Sequence, residues 1–201
     1  MVAGRSGWNH NIHYHPLVLG AVPAGAQRAL DVGCGAGMLA RELREQVPCV
    51  MGLDLDEPSL TAARAADPGG RVEYVLGDFR ETGLKPESFD FISCVATLHH
   101  MDAVAALRRM AALLRPGGAL AVVGLARIGS AADLPAEAAG VVVHRFELLR
   151  HEFAEATAPV LWPPPVTYGE MRRIAREELP GARFRRRALW RYTLTWQKPA
   201  A

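Results

Sequence analysis

Residues 31–37 read Asp31-Val32-Gly33-Cys34-Gly35-Ala36-Gly37, three glycines at alternate positions behind a carboxylate. Glycine has no Cβ and accepts left-handed backbone, so such a loop lets a ligand lie against the main chain. Where the loop joins a strand to a helix, backbone N–H groups and the positive helix end gather at the strand's carboxyl edge. A dinucleotide site uses Gly-x-Gly-x-x-Gly there to hold a pyrophosphate. Here the spacing is Gly33-x-Gly35-x-Gly37, and Asp31 would repel a pyrophosphate. A ligand bearing an ammonium group would be attracted instead. The loop therefore points to an amino-acid nucleoside rather than a nicotinamide dinucleotide.

Two more carboxylates follow in order. Asp54 ends the apolar run 49–53, where an acidic residue can accept both hydroxyls of a ribose. Asp56, two residues on, reads as a helix cap. Gly77-Asp78-Phe79 follows the run 72–76; Asp78 can accept from an adenine amino group while the Phe79 N–H donates to a ring nitrogen. Each element alone is an ordinary turn or cap. Together, at successive strand ends, they form a nucleoside site, because open α/β sheets bind ligands at that edge.

Histidines supply the candidates for proton transfer. His99 and His100 follow a fourth apolar run, 89–94, and either one can deprotonate a hydroxyl or orient an acceptor. His10, His13, Tyr14 and His15 form a second group ahead of the first strand. Tyr14 or His15 would reach the cofactor or the acceptor if this arm closes over the site. No nearby carboxylate completes a metal ligand set with those histidines, so no metal is expected.

Positioning these residues takes alternating strands and helices. The runs 28–32, 49–53, 72–76, 89–94 and 119–123 are separated by helical stretches at 37–46, 57–66 and roughly 102–114, the pattern of parallel βαβ units. Pro58 fits the first turn of its helix, and Arg115-Pro116-Gly117-Gly118 ends the last of the three. The C-terminal third differs. It contains helical pieces at 136–143 and 144–156, then Trp162-Pro163-Pro164-Pro165, which no helix or central strand can accommodate. A helix at 168–179 and two alternating segments, 183–189 and 191–197, complete the chain as an antiparallel hairpin. One domain over 1–201 is expected: an arm (1–24), a cofactor-binding core (25–126), an insertion over the acceptor site (127–167), and a last helix with the hairpin (168–201). Phe146, Phe153, Trp162 and Tyr168 are candidates to line an aromatic lid, with Trp162 and Tyr168 touching substrate.

Composition agrees with a globular enzyme: 201 residues, half apolar, 22% charged, net charge +2. That excess implies no nucleic-acid partner, and the arginine run near Arg185 reads as a solvated strand edge. Three cysteines (Cys34, Cys49, Cys94) have no metal-like spacing and suit a reducing cytoplasm. The first fifteen residues lack the apolar stretch of a signal peptide, and no run approaches the ~20 residues of a membrane span.

The segment 29–37 resembles motif I of the class I S-adenosylmethionine-dependent methyltransferases. Gly52-Leu53-Asp54-Leu55-Asp56, Gly77-Asp78-Phe79, Ser88-Phe89-Asp90-Phe91-Ile92, Leu98-His99-His100 and Leu114-Arg115-Pro116-Gly117-Gly118 resemble the family's later motifs in order. The likeness covers residues 25–125 and is greatest to the small-molecule branch that includes ubiquinone-biosynthesis enzymes. It implies a Rossmann-like α/β fold with a seven-stranded sheet of order 3-2-1-4-5-7-6, strand 7 antiparallel. It implies S-adenosyl-L-methionine as cofactor and S-adenosyl-L-homocysteine as product. Asp31 with the loop Gly33, Cys34, Gly35 and Gly37 would hold the methionine end, Asp54 the ribose, Leu55 the adenine face, and Asp78 and Phe79 its edge. The carbonyl of Cys94 would accept from the ammonium. The expected function is methyl transfer to an oxygen or nitrogen of a small molecule, in the manner of secondary metabolism. The alternatives are an RNA or protein methyltransferase, or a homologue that binds the cofactor without methylating. Residues 94–97, Cys-Val-Ala-Thr, lack the Asn/Asp-Pro-Pro-Tyr/Phe motif of enzymes acting on base amino groups.

Overall fold

The computed structural model describes residues 8–130, 133–151 and 161–200. Seven strands form one sheet: β1 (Arg28–Val32), β2 (Cys49–Asp54), β3 (Glu73–Leu76), β4 (Phe89–Val95), β5 (Leu114–Gly124), β6 (Arg183–Arg186) and β7 (Tyr192–Gln197). Their order is β3-β2-β1-β4-β5-β7-β6, with β7 antiparallel to both neighbours, as the family resemblance implies. The helices are α1 (His15–Leu19), α2 (Met38–Leu43), α3 (Glu57–Ala65), α4 (Ala103–Leu113), α5 (Leu134–Arg150) and α6 (Tyr168–Glu178). Short 3₁₀ turns at Ile12–Tyr14 and Leu98–His100 precede α1 and α4.

Strand alternation divides the core into two layers. Leu30, Val32, Ile92, Leu120, Val122 and Leu194 face α4 and α6, burying Leu107, Met110, Met171 and Leu179 against them. Ala29, Phe91, Ala121 and Val123 face the other way, against α2 and the N-terminal segment, with Leu39, Leu43, Val18, Tyr14 and Trp8. Phe89 and Phe91, two apart, lie in opposite layers because the β4–β5 register shifts between them. Asp90 fills that irregularity, accepting from the Gln27 and Arg28 N–H groups and from Arg115.

Local chemistry starts the helices where the sequence suggests. Asp56 accepts from the Ser59 N–H, Asp102 from the Ala105 N–H, and Thr167 with Glu170 forms a capping box. The expected pieces at 136–143 and 144–156 are instead one helix, α5, since nothing in Val141-Val142-Val143-His144 breaks a helix. Its last expected residues, and Phe153, lie outside the described residues. β5 is longer than expected, because Leu114 already pairs with Phe89 before the Pro116-Gly117 kink. The hairpin strands are shorter: residues 187–191 form a turn with Leu189 at φ +56° and Trp190 at φ +57°.

Gly124, at the end of β5, has the Tyr192 ring where a side chain would stand. Gly124→Ala should therefore force β5 and β7 apart, at a cost of about 1–3 kcal/mol. A lower urea midpoint with unchanged slope is expected; an unchanged midpoint would refute this account of the β5–β7 seam.

Candidate functional site

The carboxyl ends of β1, β2, β3 and β4 open into a cavity of about 720 Å3. It lies within the range of small-molecule sites, roughly 300–1,000 Å3. Its walls are the loop 31–36, Leu53–Asp56, Gly77–Arg80, the segment 95–97 with His100 and Met101, and Asn9, Asn11, Ile12 and His15 from the N-terminal segment.

Within the glycine loop, the three glycines have different reasons to be glycine. All have positive φ. A Cβ on Gly33 would strike Thr97, and one on Gly37 would strike the Tyr74 ring. Gly35 alone would point into open space, on the cavity wall. Its N–H donates to Asp54 Oδ2 (2.7 Å), while the Asp56 N–H donates to Asp54 Oδ1 (3.0 Å). Asp54 is thus held edge-on to the cavity by two backbone groups, each oxygen keeping a lone pair for a further donor. Leu55 beside it is 65% exposed, an apolar surface with no protein cover.

Asp31 is the electrostatic centre. Its side chain is fully buried, in register with Gly52 on β2 and Ser93 on β4, and accepts from Ser93 Oγ at 2.7 Å. Burial pushes its carboxyl pKa up to about 7, against the pull of Ser93 and with added repulsion from Asp54 and Glu42. Among the described residues no cation offsets the charge within the sheet. A ligand ammonium at this wall would do so, and the bare backbone at Gly35 leaves room for it. The residues present fit an amino-acid nucleoside.

Asp78 and Phe79 lie at the far end. Asp78 makes a salt bridge and a backbone hydrogen bond to Arg80, which hold its carboxyl below the usual range. Phe79 is buried, with the Arg109 guanidinium 5.3 Å over its ring.

Not every expected residue reaches the cavity. Tyr14 is buried away from it, its hydroxyl donating to the Ala188 carbonyl at 2.6 Å; it fastens the N-terminal segment to the 187–191 turn. Cys94 is fully buried within β4, and the wall begins one residue later, at Val95. Gly37 packs on Tyr74 and stays behind the wall. Tyr168 is buried under the Arg186 guanidinium, and Trp162 is 64% exposed; neither lines the cavity. Of the two adjacent histidines, His100 is exposed on the rim, whereas His99 lies buried behind it with Nδ1 lacking a hydrogen-bond partner. Burial first, then His100 and Arg191, lower the His99 pKa to about 4, so it is neutral.

His15 does line the cavity, and the sequence hid its partner. Its Nδ1 is 2.8 Å from Glu42 Oε2 on α2. Burial lowers its pKa against the pull of Glu42. A carboxylate only accepts, so Nδ1 carries the proton and Nε2 keeps a lone pair. Asn11 and Met101 were likewise missed, since neither carries a motif. Among the described residues no three His, Cys, Asp or Glu side chains are placed to hold a metal ion, and no helix is long and apolar enough to cross a membrane.

Comparison with known proteins follows this geometry. A family model described as a methyltransferase domain matches residues 30–122. An uncharacterized methyltransferase of Mycobacterium tuberculosis is 37% identical over 193 residues, covering 96% of this chain and 98% of the relative. A ubiquinone biosynthesis O-methyltransferase of Aliivibrio fischeri is 36% identical over 96 residues, 46% of this chain and 41% of that enzyme. The crystal structure of a SAM dependent methyltransferase from Aquifex aeolicus superposes with a TM-score of 0.62 at 16% identity, over 91% of this chain and 88% of that one, a likeness of fold alone.

The raised pKa of Asp31 fixes the sign of a pH effect. The folded chain binds this proton more tightly than the unfolded chain does. The resulting stability is fully present below pH ~3.9 and is lost as pH rises through about 7. Asp31→Asn should therefore melt like wild type near pH 3.5 and gain on it progressively up to pH 8.5, where it is more stable by on the order of 2–4 kcal/mol. A variant less stable than wild type at both pH values would show that the ionised carboxylate supports the fold.

Proposed function

This chain belongs to the class I S-adenosylmethionine-dependent methyltransferases, and from that premise we propose that it methylates an oxygen or nitrogen atom of a small-molecule acceptor. What carries the reading is the cavity, with carboxylates Asp31, Asp54 and Asp78 along one part and Asn11, His100 and Met101 along another. Bound there, S-adenosyl-L-methionine supplies a methyl group activated on a sulfonium.

The chain's own residues bind and orient. Asp31 holds the ammonium, with the main chain at Gly33, Cys34 and Gly35 beside it. Asp54 takes the ribose hydroxyls on its remaining lone pairs, and Leu55 covers one adenine face. Asp78 and Phe79 read the adenine edge, with Arg80 fixing the Asp78 carboxylate. His15, held by Glu42, faces the acceptor side with an accepting Nε2. His100, exposed on the rim, takes the proton of an acceptor hydroxyl, while buried His99 backs it. The family's small-molecule branch, represented by the Aliivibrio fischeri ubiquinone biosynthesis enzyme, supports an acceptor of that size.

Asp31 makes cofactor binding depend on pH. The ammonium favours the ionised carboxylate, so binding near pH 6 releases close to one proton, and affinity climbs from pH 5 to 7. It levels off until the ligand's own amine, with a pKa of roughly 7.7–8.0, begins to lose its proton. Calorimetry in buffers of different ionisation enthalpy measures that release. Binding with no proton exchange at pH 6 would remove Asp31 from the ammonium site.

Labelled-methyl assays against phenols and amines, RNA and histones should label a small molecule alone; labelled RNA or protein would sink the acceptor reading. With that acceptor, His100→Ala should lose about 10²–10⁴-fold in kcat while binding S-adenosyl-L-homocysteine normally. Full turnover by the variant would exclude His100 as base.

A further inference from the structure

Arg191, the residue before β7, is 8% exposed and has no carboxylate partner among the described residues. Its Nε and Nη2 donate to Asn11 Oδ1 at 3.3 and 2.8 Å, and Nη1 donates to the Leu189 carbonyl at 3.3 Å. Desolvation lowers its pKa only to about 10, so the guanidinium stays charged at neutral pH. A buried, unneutralised cation is costly. The backbone that delivers it is costly too. Leu189 and Trp190, both bulky, occupy the left-handed positions where a tight hairpin normally uses Asn-Gly, at roughly 1–2 kcal/mol each. Such strain persists where the surrounding structure enforces it, and commonly marks a working site.

The arrangement settles which way Asn11 points. A guanidinium can only donate, so the Asn11 oxygen must face Arg191 and its amide NH₂ must face away. Asn11 lines the cavity. The charge behind the amide polarises it, strengthening the donor that it offers. The neighbouring imidazole of His99 is neutral, buried, and without a partner on Nδ1. The carboxylates stand on the walls 31–36, 53–56 and 77–80, whereas Asn11, Ile12, His100 and Met101 bring no acidic group, and the Arg191 cation lies behind Asn11.

We propose that Asn11, positioned by Arg191, forms a subsite for a carboxylate of the acceptor, on the wall it shares with Ile12, His100 and Met101. This deepens the small-molecule reading and rests on it: the acceptor is an organic acid that carries a carboxylate beside the hydroxyl that His100 deprotonates, rather than an amine.

The probe is benzoate, which pairs a carboxylate with a ring suited to Ile12 and Met101; benzamide is its neutral match. Both are titrated into wild type and into Asn11→Ala, with and without saturating S-adenosyl-L-homocysteine. Wild type should bind benzoate at least tenfold more tightly than benzamide, and Asn11→Ala should lose that preference while keeping its S-adenosyl-L-homocysteine affinity within threefold. Equal binding of the two probes by wild type, or an unchanged preference in Asn11→Ala, overturns the subsite. Loss of S-adenosyl-L-homocysteine affinity in Asn11→Ala overturns it too, by assigning the corner to the cofactor's own carboxylate. If wild type binds no S-adenosyl-L-homocysteine, the cofactor reading fails, and the benzoate titration without it still decides the subsite. For Arg191 as a positioning residue, NMR titration of His99 in Arg191→Gln should show a raised pKa, and in Arg191→Lys an unchanged one. No change in Arg191→Gln excludes the electrostatic role.

Discussion

Asp31 is a carboxyl group enclosed by a sheet that, among the described residues, supplies one serine hydroxyl and no positive charge. The rest of the site is arranged around that deficit. The residues level with it on the adjoining strands are Gly52 and Ser93, both small, so the carboxyl has room but little solvation. Gly35, the loop glycine without a protein neighbour at its missing Cβ, opens the wall beside it. Asp54 is oriented by two backbone N–H groups from separate loops and so joins the ends of β1 and β2 into one rigid edge. A cavity wall built this way favours a ligand that carries positive charge.

What could be read from the sequence follows from how local its causes are. A glycine loop, a strand-end Asp and a capping Asp act within a few residues of themselves, so Gly35, Asp54, Asp56 and Asp78 stand where their spacing indicates. Sheet order came from resemblance, not from pattern, because strand alternation says which face is apolar and not which strand lies alongside. Asp31 was legible as a charge but not as a buried one.

The misplaced residues have a common physical reason. Tyr14, Tyr168 and Trp162 were assigned by chemical type and nearness to a motif, and the Cys94 carbonyl by family resemblance, whereas their positions are set by packing. A one-residue step along β4 separates the buried Cys94 from the Val95 on the wall, since alternate residues face opposite layers. Tyr14 and His15 are adjacent in sequence, yet one serves the 187–191 turn and the other the cavity. Glu42 and Arg191 left no signal at all: their partners, His15 and Asn11, lie 27 and 180 residues away.

That last separation bears on the order in which the protein assembles. The carboxylate-bearing walls of the cavity draw on residues 31–80, within parallel strands that are near neighbours along the chain. The Asn11–Arg191 contact closes almost the whole chain into a loop and needs β7 in place before it can form. Loop-closure entropy sets long-range contacts late in folding. The wall at Asn11 is therefore completed late, after the strands that carry Asp31, Asp54 and Asp78 have paired.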